Sequence, residues 1–209
     1  MQVEILKRND IESKLKTRYL YENCFDIGKD DFINYYYDEI IKRNEIVVVK
    51  NGDDIVSMVH LNPYTYNICG SIKPVHYLVG IATDKNYRGK GLMRLCITKA
   101  LEYLNSLNEP FCYLVPDNNE LEKAYQKFGF VTVSKFVLDK FSNDKYDIFP
   151  FNSDEYLKLM KNEDYFLKYE TKEYIEELSN KLVMINVLDK INYDIDFFKN
   201  KKIYVCQEV

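Results

Sequence analysis

The chain has 209 residues, of which 46 % are hydrophobic and 30 % charged, and 29 Lys and Arg against 33 Asp and Glu give a net charge of −4. This balance is typical of a globular protein, and no apolar run approaches the ~20 residues of a membrane-spanning helix. The mild acidity argues against nucleic acid as a partner, because proteins that bind it usually carry a concentrated basic face.

The start of the chain and the cysteines both favour a cytoplasmic protein. The first ten residues carry charges and no long apolar stretch, so they do not predict an export signal. The five cysteines form no C-x-x-C pair, which favours neither a zinc site nor a disulfide framework. We expect them to serve as small core residues in a reducing compartment. They are Cys24, Cys69, Cys96, Cys112 and Cys206.

The first part of the chain contains four predicted strands. They cover residues 1–7, 45–50, 54–61 and 76–83. Asn51-Gly52 is a strong hairpin signal between the second and third strands, and Pro63 is expected to end the third strand or its hydrogen bonding. The nearly continuous apolar run of the fourth predicts a central strand covered on both faces.

Helices are predicted between these strands and after them. Asp10 is placed to cap a helix over residues 11–24, with Leu15 and Tyr19 on or near its buried face. A second helix is predicted to follow Asp30 and Asp31. Further along the chain, the pattern predicts a helix over residues 92–107, a strand over 111–115, a helix over 120–128 and a strand over 130–138. This order indicates a mixed α/β domain of roughly 140 residues.

The remaining residues, 141–209, predict an extension that packs on this domain. Ser153 and Thr171 are placed to cap two helices, the second of which includes Leu178 and Leu182. A final strand is predicted over residues 203–206.

The most informative segment is a glycine-rich basic turn between a buried strand and a long helix. Gly89 and Gly91 let the backbone approach a ligand closely, and the first amides of the helix have no partners within it. Arg88, Lys90 and Arg94 add positive charge, so the segment predicts a pyrophosphate site. The alternative reading is an ordinary solvated turn, since neither a Walker loop nor the Rossmann glycine pattern is present.

Two motifs carry a resemblance to a known family. The first is Arg88-Gly89-Lys90-Gly91-Leu92-Met93, and the second is Asn118, Tyr125 and Phe128-Gly129-Phe130 in that spacing. Together they resemble the GCN5-related N-acetyltransferase (GNAT) family over residues 1–140. Met93 stands where the family usually has Gly or Ala, and this departure resembles the bacterial Eis-like branch. That branch usually continues into C-terminal domains that we expect this chain to lack.

The resemblance implies a fold and a reaction. The fold is α/β of the α+β type: a mixed, mostly antiparallel central sheet with helices on both faces, formed by residues 1–140. Residues 141–209 would add a helical extension. The reaction is transfer of an acetyl group from acetyl-CoA to a primary amine of a small molecule or peptide, directly in a ternary complex and without a metal.

The resemblance also implies roles for particular residues. Backbone amides of the central strand would hold the pantetheine and polarise the thioester carbonyl, and those of the turn and helix would hold the pyrophosphate. Asn118 would bond the pantetheine arm, and Tyr125 would protonate the leaving thiolate. The residues expected to bind acetyl-CoA are Ile81, Ala82, Thr83, Arg88, Gly89, Lys90, Gly91, Leu92, Met93, Arg94 and Asn118.

The acceptor side is less defined by the sequence. His60, His76 and Glu22 are candidate bases, and either histidine has a structural reading as a packed side chain. His60 and Tyr36 are candidate acceptor contacts, with Tyr36 in a possible aromatic wall. In the Eis-like branch a C-terminal carboxylate is implicated; Val209 supplies such a group here, but from a different C-terminal architecture, and the role is not transferred to it. A non-catalytic CoA-binding or partner-binding module and a homo-oligomer both stay open.

Overall fold

The computed structural model describes residues 1–25, 30–135, 146–151 and 181–205. They fall into two units, Met1–Pro63 with His76–Leu107, and Tyr64–Val75 with Asn108–Val209. In chain order the elements are β1 (Gln2–Leu6), α1 (Ile11–Leu15), α2 (Arg18–Cys24), α3 (Asp30–Asp38), β2 (Glu45–Asn51), β3 (Asp54–Ile68), β4 (Ser71–Thr83), α4 (Leu92–Ser106), β5 (Phe111–Leu114), α5 (Asn119–Gln126), β6 (Val131–Lys135), β7 (Ile148–Pro150), β8 (Leu182–Val187) and α6 (Ile195–Lys199). Short 3₁₀ turns lie at Ile40–Lys42 and Lys85–Tyr87.

The first unit is built on an antiparallel arrangement of β1, β2 and β3, with β4 beside β3. The predicted hairpin at Asn51-Gly52 is confirmed, since Asn51 pairs with Asp54 across the turn. The strand β2 is buried along most of its length, and α4 packs against it. Because this strand is covered on both faces, its sequence is a continuous apolar run rather than an alternating one.

The single helix predicted over residues 11–24 is wrong, because the chain forms two helices there. Asp10 caps α1 as predicted, accepting a hydrogen bond from the backbone N–H of Ser13 at 3.1 Å. The break comes at Thr17, whose hydroxyl donates to the carbonyl of Lys14 at 2.6 Å and so competes with the helical pattern. As a result Leu15 and Tyr19 are exposed, although the sequence predicted them on or near the buried face.

A buried lysine joins these helices to the turn before β2. Lys14 has no exposed surface, and its Nζ donates to the backbone carbonyls of Ile41 and Asn44, the second at 2.9 Å. Burial lowers the pKa of Lys14 to about 8, while the nearby charge of Glu45 acts in the opposite direction. The lysine thus donates to two backbone carbonyls, at the cost of removing its charge from water.

Two strands are longer than the sequence predicted. The strand β3 continues through Pro63 to Ile68, and β4 begins at Ser71 rather than near residue 76. Pro63 is tolerated because the pairing with β2 ends just before it, where Glu45 faces Leu61. A residue without a backbone N–H therefore breaks no ladder bond on that edge.

In the second unit the strand order is β3, β4, β5, β8 and β6, with β7 on the other edge of β3. The strand β8 is antiparallel to both of its neighbours, with Tyr113 of β5 and Val131 of β6 facing Ile185. Val183, Met184 and Ile185 have no exposed surface, so β8 is an interior strand. The predicted extension therefore supplies part of the central sheet.

The predictions for the extension, residues 141–209, have different outcomes. Placing Leu182 in a helix is wrong, because it begins β8. The predicted helices after Ser153 and Thr171 lie largely outside the described residues, as does the boundary at residue 140, so the division into domains stays a prediction. Of the predicted final strand, Ile203 forms a single parallel bridge with Ile148, and Cys206 lies outside the described residues.

The predicted mixed α/β fold with a mostly antiparallel sheet and helices is confirmed. Among the described residues, no helix has the length and apolar character needed to cross a membrane.

Replacing the buried lysine tests how far the first unit depends on it. In Lys14→Met the carbonyls of Ile41 and Asn44 lose their donor, and we expect a loss of about 1–3 kcal/mol in the free energy of unfolding. Urea unfolding followed by circular dichroism measures this. Lys42→Met is the matched control, because Lys42 is exposed and, among the described residues, pairs with Glu39 across one turn. It should change stability by less than about 0.5 kcal/mol. Equal effects of the two changes would contradict the assignment.

Candidate functional site

The C-terminal end of β4 is held by side chains from neighbouring elements. The hydroxyl of Ser57 donates to the carbonyl of Ala82 at 3.0 Å and is 2.9 Å from the hydroxyl of Thr83. The thiol of Cys24 donates to the carbonyl of Thr83 at 3.8 Å. The carbonyls of Ala82 and Thr83 are thus occupied, and the backbone of the Ile81–Thr83 segment is fixed in direction before any ligand binds.

The basic turn after β4 is braced by its own side chains. The Nε of Arg88 donates to the carbonyl of Thr83 at 3.1 Å, and the Nζ of Lys90 donates to the carbonyl of Asn86 at 3.1 Å. Asp84 accepts from the backbone N–H of Asn86 at 2.8 Å. Arg88 and Lys90 are also exposed, so their charges lie at the surface of the turn.

The helix α4 begins at a left-handed glycine. Gly91 has φ 77° and ψ 12°, and as the residue preceding the helix it makes no side-chain cap. The amides of Leu92 and Met93 have no preceding helical turn to donate to, and the helix dipole adds partial positive charge there. A Cβ at Gly91 would meet no atom within 4 Å, so the space beside this backbone is open. This set of amides and cations fits a pyrophosphate.

The second unit holds the two predicted site residues of α5. Asn118 precedes the helix and its Oδ1 accepts from the backbone N–H groups of Glu120 and Leu121, both at 3.0 Å. Capping of α5 is a role that the resemblance did not assign. The Nδ2 of Asn118 has no hydrogen-bond partner within the described part of the chain, and it remains a donor for a ligand carbonyl.

Tyr125 is the second-last residue of the same helix, with 5 % of its surface exposed. Its ring meets that of Phe130 edge to face, with centroids 6.2 Å apart. Burial, and to a smaller degree the negative charge of Asp117, raises the pKa of Tyr125 to about 12. The phenol therefore keeps its proton at neutral pH. Among the described residues its hydroxyl has no hydrogen-bond partner.

One residue near Tyr125 was missed from the sequence. Asn186 lies on β8, and its Nδ2 donates to the carbonyl of Phe128 at 2.8 Å, which anchors the end of α5. No local pattern indicates this contact, because the two residues are far apart in the chain. The sequence signal that could have found it is a polar residue, Asn186, within the otherwise apolar run of β8.

The candidate acceptor contacts His60 and Tyr36 are both fully buried. The Nδ1 of His60 is 3.0 Å from the hydroxyl of Tyr36, which also lies 3.2 Å from the side-chain oxygen of Asn62. Burial, with a smaller effect of the charge on Lys14, lowers the pKa of His60 to about 3. The imidazole is therefore neutral at physiological pH. Direct contact of either side chain with an acceptor stays a prediction.

The other candidate bases have partners. His76 is buried, with its Nε2 3.8 Å from a carboxylate oxygen of Glu45. Burial acts to raise the pKa of Glu45, but its contact with His76 outweighs this and the net shift is downward. Glu22 is paired with Arg18 at 2.6 Å. Val209 lies outside the described residues.

The structure thus places the cofactor candidates of β4 and α4 on one continuous stretch of the first unit, and Asn118 and Tyr125 on one helix of the second. Within the described residues, no cluster of three or more His, Cys, Asp or Glu side chains is arranged to hold a metal ion. Metal-free chemistry stays a prediction.

Comparison with known proteins identifies the family. Residues 10–133 match the acetyltransferase (GNAT) domain, so the chain belongs to this family. The family uses acetyl-CoA and transfers acyl groups. No curated protein matches the sequence significantly.

Solved structures show the same fold at low identity. The aminoglycoside 6′-acetyltransferase type Ii is 12 % identical, with a TM-score of 0.57 over 90 % of this chain and 97 % of that one. A Mycobacterium tuberculosis protein, in complex with CoA and NLQ, is 12 % identical, with a TM-score of 0.50 over 90 % of this chain and 99 % of that one. An Enterococcus faecalis protein described as a probable N-acyltransferase is 16 % identical, with a TM-score of 0.55 over 64 % of this chain. That match spans only 33 % of the Enterococcus chain.

The buried imidazole of His60 predicts a loss of stability in acid. The unfolded chain binds this proton near pH 6.5, whereas the folded chain resists it down to about pH 3. The free energy of unfolding should therefore fall as the pH drops below 6.5, by roughly 2 kcal/mol between pH 7 and pH 5 from this group. Urea unfolding at both pH values measures the difference.

The variant His60→Asn removes the titrating group and should lose less stability over the same interval. His76→Asn retains His60 and is the matched control. A pH dependence unchanged in His60→Asn would show that His60 does not titrate as its burial requires.

Proposed function

We propose that the chain is an acetyl-CoA-dependent N-acetyltransferase that transfers the acetyl group directly to a primary amine of a small molecule or peptide. The observation that carries the proposal is the start of α4, where a left-handed Gly91 and its uncapped amides follow a basic turn. This segment lies inside the family match, which spans residues 10–133. We further propose the Eis-like branch of the family, on the sequence Gly91-Leu92-Met93-Arg94.

Two sets of residues are proposed to hold acetyl-CoA, which supplies an activated acyl thioester. Amides in the Ile81–Thr83 segment hold the pantetheine and polarise the thioester carbonyl, and they act without reorganisation because Ser57 already fixes the neighbouring carbonyl of Ala82. Amides from Gly89 to Arg94, with the charges of Arg88 and Lys90, hold the pyrophosphate. The free Nδ2 of Asn118 bonds the pantetheine.

Tyr125 is proposed to act on the leaving sulfur. Its pKa of about 12 keeps the hydroxyl protonated, so it can donate to a thiolate. A thiol of pKa ~8.5 is the stronger acid, and a strong hydrogen bond to the thiolate is therefore the main stabilisation we expect. Cys96, which contacts Ser57, has its pKa raised by burial to about 12, so this thiol does not supply a thiolate nucleophile for a covalent route.

A non-catalytic CoA-binding module is the second candidate, favoured by the state of the proposed bases. His60 is fully buried and neutral, His76 is buried beside Glu45, and Glu22 is paired with Arg18. Release of free thiol from acetyl-CoA separates the two functions. If the chain is an enzyme, at least one member of a broad panel of amines should accelerate thiol release. If it is a binding module, thiol should be released only slowly, by hydrolysis of acetyl-CoA, at a rate that amines do not change.

Binding of CoA should depend on the charge of the turn. Lys90→Glu places a negative charge beside the proposed pyrophosphate site, and we expect calorimetry to show CoA binding weakened about tenfold, with a smaller effect at high salt. Lys16→Glu carries the same charge change at an exposed position just after α1 and is the control. If wild-type protein shows no binding at millimolar CoA, the proposal fails.

Removing one hydroxyl tests the role of Tyr125. Tyr125→Phe keeps the ring against Phe130, and we expect kcat to fall about 100-fold while the dissociation constant of CoA changes less than about threefold. Tyr103→Phe is the control, because Tyr103 on α4 keeps its ring under Lys7 in that variant. A kcat for Tyr125→Phe equal to that of Tyr103→Phe would remove the assigned role.

A further inference from the structure

Strand β4 contains a left-handed residue immediately before the proposed cofactor-binding segment. Gly80 has φ 57° within the Ser71–Thr83 strand. This conformation disfavours residues with a Cβ, and it turns the following amides away from the direction that a regular strand would give them. The direction of the amides in the Ile81–Thr83 segment is therefore set at Gly80.

Two aromatic side chains close the space beside this glycine. A Cβ built on Gly80 would lie 3.1 Å from Cδ2 of His60, 3.3 Å from Cγ of the same ring and 3.1 Å from Cε2 of Tyr21. His60 comes from β3 and Tyr21 from α2, and both are buried. The imidazole thus packs directly against the backbone of Gly80 in β4.

The imidazole of His60 is held in place by a buried polar chain. Its Nδ1 is 3.0 Å from the hydroxyl of Tyr36, which is 3.2 Å from the side chain of Asn62. Asn62 in turn accepts from Asn44 at 2.9 Å. Rotation of the ring would break the contact with Tyr36 in a site without water-exposed surface, and leaving buried polar groups unpaired is costly.

The same strand also holds the other side of the segment. Ser57, three residues before His60 on β3, donates to the carbonyl of Ala82. Contacts from β3 therefore fix the backbone of β4 both before and after Ile81. Such preorganisation matters most where backbone amides must meet a ligand in one geometry, since a displacement of about 1 Å can cost 100-fold in rate.

We propose that His60 is a positioning residue: its ring, locked by Tyr36, holds Gly80 in the left-handed conformation that presents the amides of Ile81–Thr83 to the pantetheine of acetyl-CoA. This inference rests on the proposed function. It assigns His60 no contact with the substrates, in keeping with its complete burial. It also explains why a neutral imidazole is adequate at this position.

The first test is the dissociation constant of CoA by calorimetry in single and double variants. Gly80→Ala should weaken CoA binding at least about tenfold, and His60→Ala about fivefold or more. In the double variant with Gly80→Ala and His60→Ala, the methyl group enters the space that the imidazole ring vacated. The fold-loss of CoA affinity in the double variant should therefore be smaller than the product of the losses in the two single variants. Gly52→Ala is the control, because Gly52 has a similar φ of 64° with no atom within 4 Å of its Cβ.

A milder pair of variants keeps the test valid if Gly80→Ala does not fold. Tyr36→Phe removes the hydroxyl that locks His60 and should weaken CoA binding about threefold or more. Tyr37→Phe also removes a buried hydroxyl, one that lies 3.0 Å from Thr17 and does not touch the imidazole nitrogen. It should lower the melting temperature but leave the dissociation constant within twofold of wild type.

The outcomes separate this inference from the proposed function. If wild-type protein does not bind CoA, the proposed function fails and the inference fails with it. If wild type binds CoA while Tyr36→Phe and His60→Ala bind equally well, only the inference is overturned. Equal weakening by Tyr36→Phe and Tyr37→Phe would also overturn it, because general loss of packing would then account for the effect.

Discussion

The proposed site depends on a short length of backbone whose hydrogen-bonding directions are fixed from one neighbouring strand. Ser57 and His60 of β3 contact β4 after and before Ile81, and Arg88 adds a bond to the carbonyl of Thr83. Backbone donors can bind a ligand selectively only if their directions are set in advance, because reorganisation during binding costs free energy. The side chains of Ser57 and His60, through which β3 holds β4, have no exposed surface.

Burial in this unit carries an electrostatic consequence. Lys14, Tyr36 and His60 form part of one desolvated region, and the imidazole responds by staying neutral while the lysine retains donors to two carbonyls. A neutral imidazole costs less to bury than a charged one, so the region is stable at physiological pH. The same burial makes His60 a poor general base, so in the proposed reaction the proton of the amine would leave to other groups or to bulk water.

The second unit joins distant parts of the chain around α5. Asn186 on β8 supplies the donor for the carbonyl of Phe128, and the same strand pairs with β5 and β6. The extension that the sequence analysis set apart is thus part of the sheet. Its Asn186 bonds the chain just after α5, about sixty positions away in sequence, which ties the tail to the segment that carries the proposed Tyr125.

Elements with local signals were predictable from the amino-acid sequence alone. Alternating or continuous apolar runs gave the strands, Asn51-Gly52 gave the hairpin, Asp10 gave a helix start, and the glycine-rich turn with the later motif indicated the family. Each of these rests on interactions within a few residues of the chain, which periodicity and capping preferences describe well.

The three-dimensional packing set the features that depend on distant partners. It buried Lys14, it placed β8 between β5 and β6, and it enclosed His60 against Gly80. Nothing within a few residues of these positions sets their burial or hydrogen-bond partners. Their burial and hydrogen-bond partners are set by the packing of elements far apart in the chain. Packing of this kind produces no periodicity or capping pattern in the nearby sequence, so it cannot be predicted locally.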